Sequence, residues 1–150
     1  MTILCDTREK KNGHILRYFE EAGIDFRVQK LDTGDYMAVG NDTLTIDRKK
    51  DLQELAGNLF TPDKSRFWRE VRRARAERKK MIVLCEHGGK ITCLNDVPKW
   101  KSRYSKITGR QLYAEICRVS IAYGVEFFFC GKKETGEKIV ELLGGKTDQK

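Results

Sequence analysis

Three short apolar runs, at residues 2–5, 81–85 and 125–130, each end on a cysteine and alternate with stretches of helical periodicity. Runs this short and this continuously apolar fit strands buried on both faces, which requires helices on either side of a sheet. Ile15, Leu16, Phe19 and Ala22 form the first helical pattern, ended by Gly23, and Leu52, Leu55 and Leu59 form a second, shorter one. A strongly basic helix is expected over about 64–80. Thr108 and Gln111 have capping-box spacing and start a helix that buries Leu112, Ile116, Val119 and Tyr123 before Gly124. A last helix is expected over 135–143. Phe26, Val28 and Leu31 suggest another strand, and residues 36–39 and 43–49 flank the turn residues Gly40, Asn41 and Asp42 as a hairpin. Residues 88–107 read as a long, basic, irregular connection of the kind that is often functional or mobile. The expectation is an α/β fold with a mixed central sheet flanked by helices. It forms one domain over 1–144, followed by a disordered polar tail at 145–150.

Length and charge narrow the partners. The 150 residues, 39% hydrophobic, suffice for one core. Thirty Lys and Arg against 22 Asp and Glu give a net charge of +8, which favours an anionic partner, nucleic acid foremost. No apolar run approaches the roughly 20 residues that span a bilayer, and the N-terminus lacks a signal-peptide pattern. A cytoplasmic location is therefore expected, with no membrane partner. Five cysteines without C-x-x-C spacing fit a reducing compartment, and the incomplete set Cys85, His87 and Cys93 is set aside as a zinc site.

The chemistry concentrates between Gly34 and Lys49. Asp35 and Asp47 are equally distant in sequence from Asn41, so a symmetric hairpin places them opposite each other. Cross-strand Cβ atoms lie about 4.5–5.5 Å apart, close enough for two carboxylates to share one hard cation. Asp47 and Lys49, two residues apart on one strand, point to the same face. Two carboxylates and an ammonium suit phosphodiester hydrolysis, in which Mg2+ polarises the phosphate and lysine offsets developing charge. An ordinary hairpin with solvated Asp and Lys has the same spacing. Asp6 and Glu9, just past the first strand, either add carboxylates to that centre or cap the following helix, and Arg8 is either part of the site or a surface residue.

Asp6-Thr7-Arg8-Glu9, Gly34-Asp35 and Asp47-Arg48-Lys49 resemble, in order, the D-x-R-E, G-D and E-R-K signatures of XPF/Hef-type nucleases, members of the PD-(D/E)XK restriction-endonuclease-like superfamily. The resemblance implies a restriction-endonuclease-like fold and an endonuclease that cuts branched DNA such as flaps, forks or junctions in repair, recombination or phage DNA processing. It implies Asp35 and Asp47 as metal ligands, Lys49 as the catalytic lysine, and Asp6 and Glu9 completing the acidic, metal-binding site. Arg8 and Arg48 match the family's arginines. The metal would be Mg2+, with Mn2+ as a substitute. Asp47 replaces the usual glutamate, and Gln53 falls where the family has a further aspartate. Asp51 and Glu54 flank that position, and a one-residue insertion would make Glu54 the equivalent. The small size resembles stand-alone phage or prophage members, which implies a bacterial or phage-infected host cell.

Two segments could contact DNA. The basic helix carries Arg66, Arg69 and Arg73 beside a core face of Phe67, Val71 and Ala74, and could follow phosphates or simply be solvated. Lys99, Trp100, Lys101, Arg103 and Tyr104 interleave charge with aromatics, which could stack on unpaired bases or anchor a long loop. The rival readings are a non-catalytic DNA-binding module and a nuclease subunit that needs a DNA-targeting partner or a homodimer.

Overall fold

The computed structural model describes residues 1–62 and 64–145. Six strands form one mixed sheet: β1 (Thr2–Cys5), β2 (Asp25–Val28), β3 (Tyr36–Ala38), β4 (Asn41–Lys49), β5 (Lys80–Cys85) and β6 (Glu126–Phe129). Their order across the sheet is β2-β1-β3-β4-β5-β6. The β1–β2, β4–β5 and β5–β6 pairs are parallel, whereas β3 runs antiparallel to both β1 and β4. The α/β sheet expected from the three apolar runs is thus present. The helices are α1 (Gly13–Glu21), α2 (Leu52–Leu59), α3 (Arg66–Ala76), α4 (Gly109–Tyr123) and α5 (Thr135–Leu142). Among the described residues no helix is long and apolar enough to cross a membrane.

The two-residue strand period divides the core. On β5, Met81, Val83 and Cys85 join Leu55, Phe67, Val71, Leu112 and Ile116, so α2, α3 and α4 cover that face. Ile82 and Leu84 point the other way, into a second cluster with Ile15, Phe19, Ile46 and Ile139 beneath α1 and α5. On β4 the same alternation puts Ile46 under α1 and α5 and leaves Asp47 and Lys49 on the α2 and α3 side. Each helix is held in the usual ways. Thr108 Oγ1 accepts the Gln111 amide at 3.1 Å and Gln111 Oε1 accepts the Thr108 amide at 2.8 Å, completing the capping box at the start of α4. Gly124, at φ +70°, ends it.

The boundaries differ most from those expected at the hairpin, the basic helix and the connection before α4. The hairpin turns at Val39 and Gly40, and Asn41 already belongs to β4. Gly40 takes the left-handed conformation at φ +87°, while the Asn41 side chain accepts from Thr43 within the strand, so the asparagine stiffens β4 and does not form the turn. Tyr36 pairs with Ile46 but Ala38 pairs with Asn41, and a register shift between them absorbs the difference. The basic helix spans Arg66–Ala76, shorter than the expected 64–80, because Ser65 caps its start, Arg78 turns to φ +59° and Lys80 enters β5. The connection over 88–107 is also partly regular. A 3-10 turn at Leu94–Lys99 packs on α4, where Gly109 leaves no room for a Cβ, which would lie 2.5 Å from the Val97 carbonyl. Of the expected tail, Gly145 donates to the Val140 carbonyl, and residues 146–150 lie outside the described residues.

Candidate active site

The site begins with a backbone constraint at Gly34. Its φ of +79° favours glycine, and a Cβ there would fall 2.0 Å from Thr45 Oγ1. The Thr45 hydroxyl donates to the Thr33 carbonyl at 2.9 Å, and the Gly34 amide donates to Glu70 Oε1 on α3 at 2.8 Å. These bonds fix the segment before β3 between β4 and α3. Asp35 follows, its amide donating to the Ile46 carbonyl and its carbonyl accepting from Asp6, so the register of Tyr36 with Ile46 continues one residue further and sets Asp35 across from Asp47. The equidistance seen in the sequence therefore pairs the two aspartates even though the turn lies elsewhere.

The paired carboxylates are electrostatically loaded. Burial, then Asp47 and Glu9 nearby, hold the Asp35 carboxyl well above the ordinary carboxylate range, against the Arg48 amide that donates to its Oδ2 at 2.8 Å. Lys49 Nζ lies 2.8 Å from Asp47 Oδ2 and 4.7 Å from the centre of the Phe67 ring. Asp47 Oδ2 is buried, and the Lys49 ammonium is the cation it meets. Burial works against the Lys49 charge, but Asp47, then Glu54 and Asp35, raise its pKa above the usual ammonium value. These groups line a cleft of about 260 Å³ shared with Glu9, Arg48, Asn58 and Arg66.

A divalent cation fits this arrangement. Two carboxylates press together, and a cation between them would relieve their mutual repulsion. Among the described residues no three carboxylate, imidazole or thiol groups form a complete shell. One or two carboxylates, completed by water and phosphate oxygens, is the usual protein share for Mg2+.

The ERCC4 domain family matches residues 5–142, most of the chain. The chain belongs to the ERCC4-domain family. The fold of XPF from Aeropyrum pernix superposes with a TM-score of 0.71 at 21% identity, covering 95% of this chain and 63% of that one. XPF from Aeropyrum pernix in complex with DNA gives 0.68 at 23% identity, with 95% and 62% covered. The chain thus spans less than two thirds of these relatives, and the likeness is one of fold. Comparison with curated proteins gives no match.

The three sequence motifs separate in space. Gly34, Asp35, Asp47 and Lys49 meet in the cleft, but Asp6 turns away from it. Its Oδ1 accepts the Leu31 amide and its Oδ2 accepts Arg8 Nε, both at 2.8 Å, with the side chain fully buried. Asp6 therefore holds the loop after β2, each of its oxygens already accepting a hydrogen bond, and it is not among the residues that line the cleft. Glu9 lines the cleft but is engaged by Tyr36 Oη at 2.6 Å and Arg48 Nε at 2.7 Å. Arg8 closes the cleft beside it while donating to the Leu31 carbonyl. Of the three residues near the missing family aspartate, Glu54 lines the cleft, Asp51 caps α2 by accepting the Glu54 amide, and Gln53 accepts from Ser102.

Two residues outside the sequence motifs, Glu70 and Glu86, support this centre. Glu70 accepts from Gly34 and from Arg66 Nε at 2.9 Å, joining α3 to the start of β3. Glu86, buried at the end of β5, accepts Arg48 Nη1 at 2.9 Å and touches His14 Nε2 at 2.5 Å and the Thr135 hydroxyl. Glu70 had one readable signal, its position three residues after Phe67 on the inward face of the helix. Glu86 had none, because its partners Arg48, His14 and Thr135 come from three separate elements, β4, α1 and α5.

The candidate DNA residues also divide. Arg66 is drawn toward Glu70 and Asp6 at the cleft wall, and Arg69 and Arg73 are exposed while donating to the carbonyls of Lys64 and Asp32. Trp100, only 9% exposed, packs into the α2–α3–α4 core and anchors its loop, which removes it as an open stacking face. Tyr104 is 81% exposed. Lys101 and Arg103 are exposed beside it, and Lys99 pairs with Asp96 at 3.1 Å.

Proposed function

We propose that this chain is a Mg2+-dependent endonuclease that hydrolyses phosphodiester bonds in branched DNA, with Mn2+ as a substitute metal. The observation that carries the reading is the juxtaposition of Asp35 and Asp47 with Lys49 in one open cleft beneath an arginine-rich helix. The DNA complex of the similar XPF fold supports a nucleic-acid substrate. When bound by Asp35 and Asp47, a divalent cation supplies Lewis acidity toward the phosphate and lowers the pKa of water.

The chain's own residues supply the rest. Asp47 holds the Lys49 ammonium in place and the Phe67 ring covers one side of it, so its positive charge faces a fixed point in the cleft. There it offsets charge building on the phosphate as the bond breaks. Arg66, at the cleft wall, is placed to hold a neighbouring phosphate oxygen, while Glu70 keeps its guanidinium from folding onto the two aspartates. Glu54 faces the same space and is in position to orient water.

Cleavage of labelled fork, flap, junction and linear duplex DNA, with Mg2+ or EDTA, tests the reading. Wild-type protein is expected to cut branched DNA with Mg2+. Asp35→Asn and Lys49→Gln should lose on the order of 100-fold or more in rate while keeping their affinity for DNA. Firm, salt-sensitive binding by the wild type with no cutting under any metal would overturn it in favour of a non-catalytic DNA-binding module.

A further inference from the structure

A second pocket, of about 360 Å³, lies on the other side of the α2 N-terminus between that helix and the loop bearing Tyr104. Ser102 ties the loop down. Its hydroxyl donates to Gln53 Oε1 at 2.7 Å and accepts the amides of Tyr104 and Ser105. Trp100 anchors the base of the loop in the core. The exposed Tyr104 ring is therefore carried on a fixed turn.

The polar groups around this pocket have unused valences. Gln53 uses its oxygen for Ser102, and among the described residues its amide nitrogen has no partner. His87 Nδ1 accepts the Leu52 amide at 3.0 Å, which puts the ring proton on Nε2 as a free donor. Asp51 spends one oxygen on the Glu54 amide and keeps the other. Two donors and an acceptor, an exposed ring and the cations of Lys101 and Arg103 together match one chemical class: a planar base with hydrogen-bonding edges, joined to a phosphate.

This pocket is also continuous with the active site. A basic cleft of about 580 Å³ shares Arg8, Glu9, Arg48 and Glu54 with the catalytic cleft, and shares Asp51 and His87 with the Tyr104 pocket. Lys10, Lys11, Lys50 and Lys132 line the passage between them. A strand leaving the catalytic cleft would meet four lysines and then the Tyr104 pocket.

We infer that the Tyr104 pocket binds one unpaired nucleotide of the strand that runs out of the active site, with the base on Tyr104 and its edge at Gln53, His87 and Asp51. The inference rests on the nuclease reading and names the part of the substrate that makes it branched. It also gives Gln53 a role where the family carries an aspartate, since here the side chain faces the nucleotide pocket.

The test is an abasic scan. Forked DNA with a single abasic residue at successive positions of its unpaired arms is bound to the full chain in EDTA, and affinity is read by fluorescence anisotropy. Loss of one base should weaken wild-type binding roughly tenfold, the size of one aromatic–base stack. In Tyr104→Ala the same abasic site should cost less than about twofold further, and Tyr104→Phe should restore the wild-type pattern. A flat scan in the wild type, or an abasic penalty unchanged in Tyr104→Ala, overturns the pocket. Cutting of the same forks with Mg2+ is scored separately. A flat scan with normal cutting removes the pocket alone, whereas a Tyr104-dependent penalty without cutting removes the nuclease reading and keeps the nucleotide site.

Discussion

Arg48 lines the cleft, yet its charge is spent on holding the site together. It sits between Asp47 and Lys49 on β4, and the strand period turns its side chain away from theirs, so its guanidinium meets Glu9, Glu86 and the Lys10 carbonyl at the edge of the cleft. Burial opposes its charge, and Glu9, Tyr36 and Glu86 raise its pKa nonetheless. Removing Arg48 leaves two buried carboxylates without their cation, a defect that typically costs about 3–5 kcal/mol. For a domain of this length each kcal/mol lowers Tm by roughly 2–4 °C. Arg48→Ala should therefore lower Tm by about 10 °C, with lost activity following from lost structure. Thermal unfolding by circular dichroism checks this, and an unchanged Tm with lost cutting would place Arg48 in the chemistry. The sequence showed Arg48 as a signature residue but held no sign of its partners. Glu9 lies 39 positions away and Glu86 lies 38, so fold topology alone brings them together.

Elements were easier to read than their connections, and the reason is periodicity. α4 was legible from both ends because capping box, apolar face and terminal glycine are all local signals. The aspartate pair was legible because strand pairing conserves register, even with the turn misplaced at Asn41. The 3-10 turn before α4 was not, since Val97 and Trp100 are buried by contact with a helix that follows them and have no period of their own. α3 lies between these cases: its core face was readable, but the use of its arginines was not. Arg66 joins the cleft, while Arg69 stays on the exposed face. If that face follows DNA phosphates, Arg69→Gln should weaken binding equally for all sequences and reduce the slope of log affinity against log salt by about one. Titrations of fork DNA from low to moderate salt measure this, and an unaltered slope would leave the exposed face of α3 outside the DNA footprint.

At the scale of the whole molecule, the candidate site stores a stability cost that a metal should relieve. Gly34, β4 and α3 force Asp35 against Asp47, and both side chains are buried, Asp35 first raised in pKa by that burial and then by its neighbours. A carboxyl whose folded pKa lies above its unfolded value of about 3.9 favours folding in its protonated form. That contribution is complete below the unfolded pKa and is lost as pH rises through the folded one. Metal-free wild-type protein should therefore lose Tm, relative to Asp35→Asn, as pH climbs from about 4 toward neutrality. The amide oxygen of Asn can still accept the Arg48 N–H, so the comparison removes charge while keeping the bond. Mg2+ at about ten times its Kd adds roughly 1.4 kcal/mol to a protein that binds it when folded, or about 3–5 °C here. The wild type should show that gain at neutral pH and little of it near pH 4, where protons compete for the same oxygens. Asp35→Asn should show little at any pH, and should be the more stable protein in EDTA at pH 7 although it cannot cut. Melting curves of both proteins with Mg2+ or EDTA across this range measure the whole pattern. Equal Mg2+ gains in the two proteins would place the cation elsewhere, and an EDTA difference that shrinks with rising pH would mean that the pair is not strained by charge.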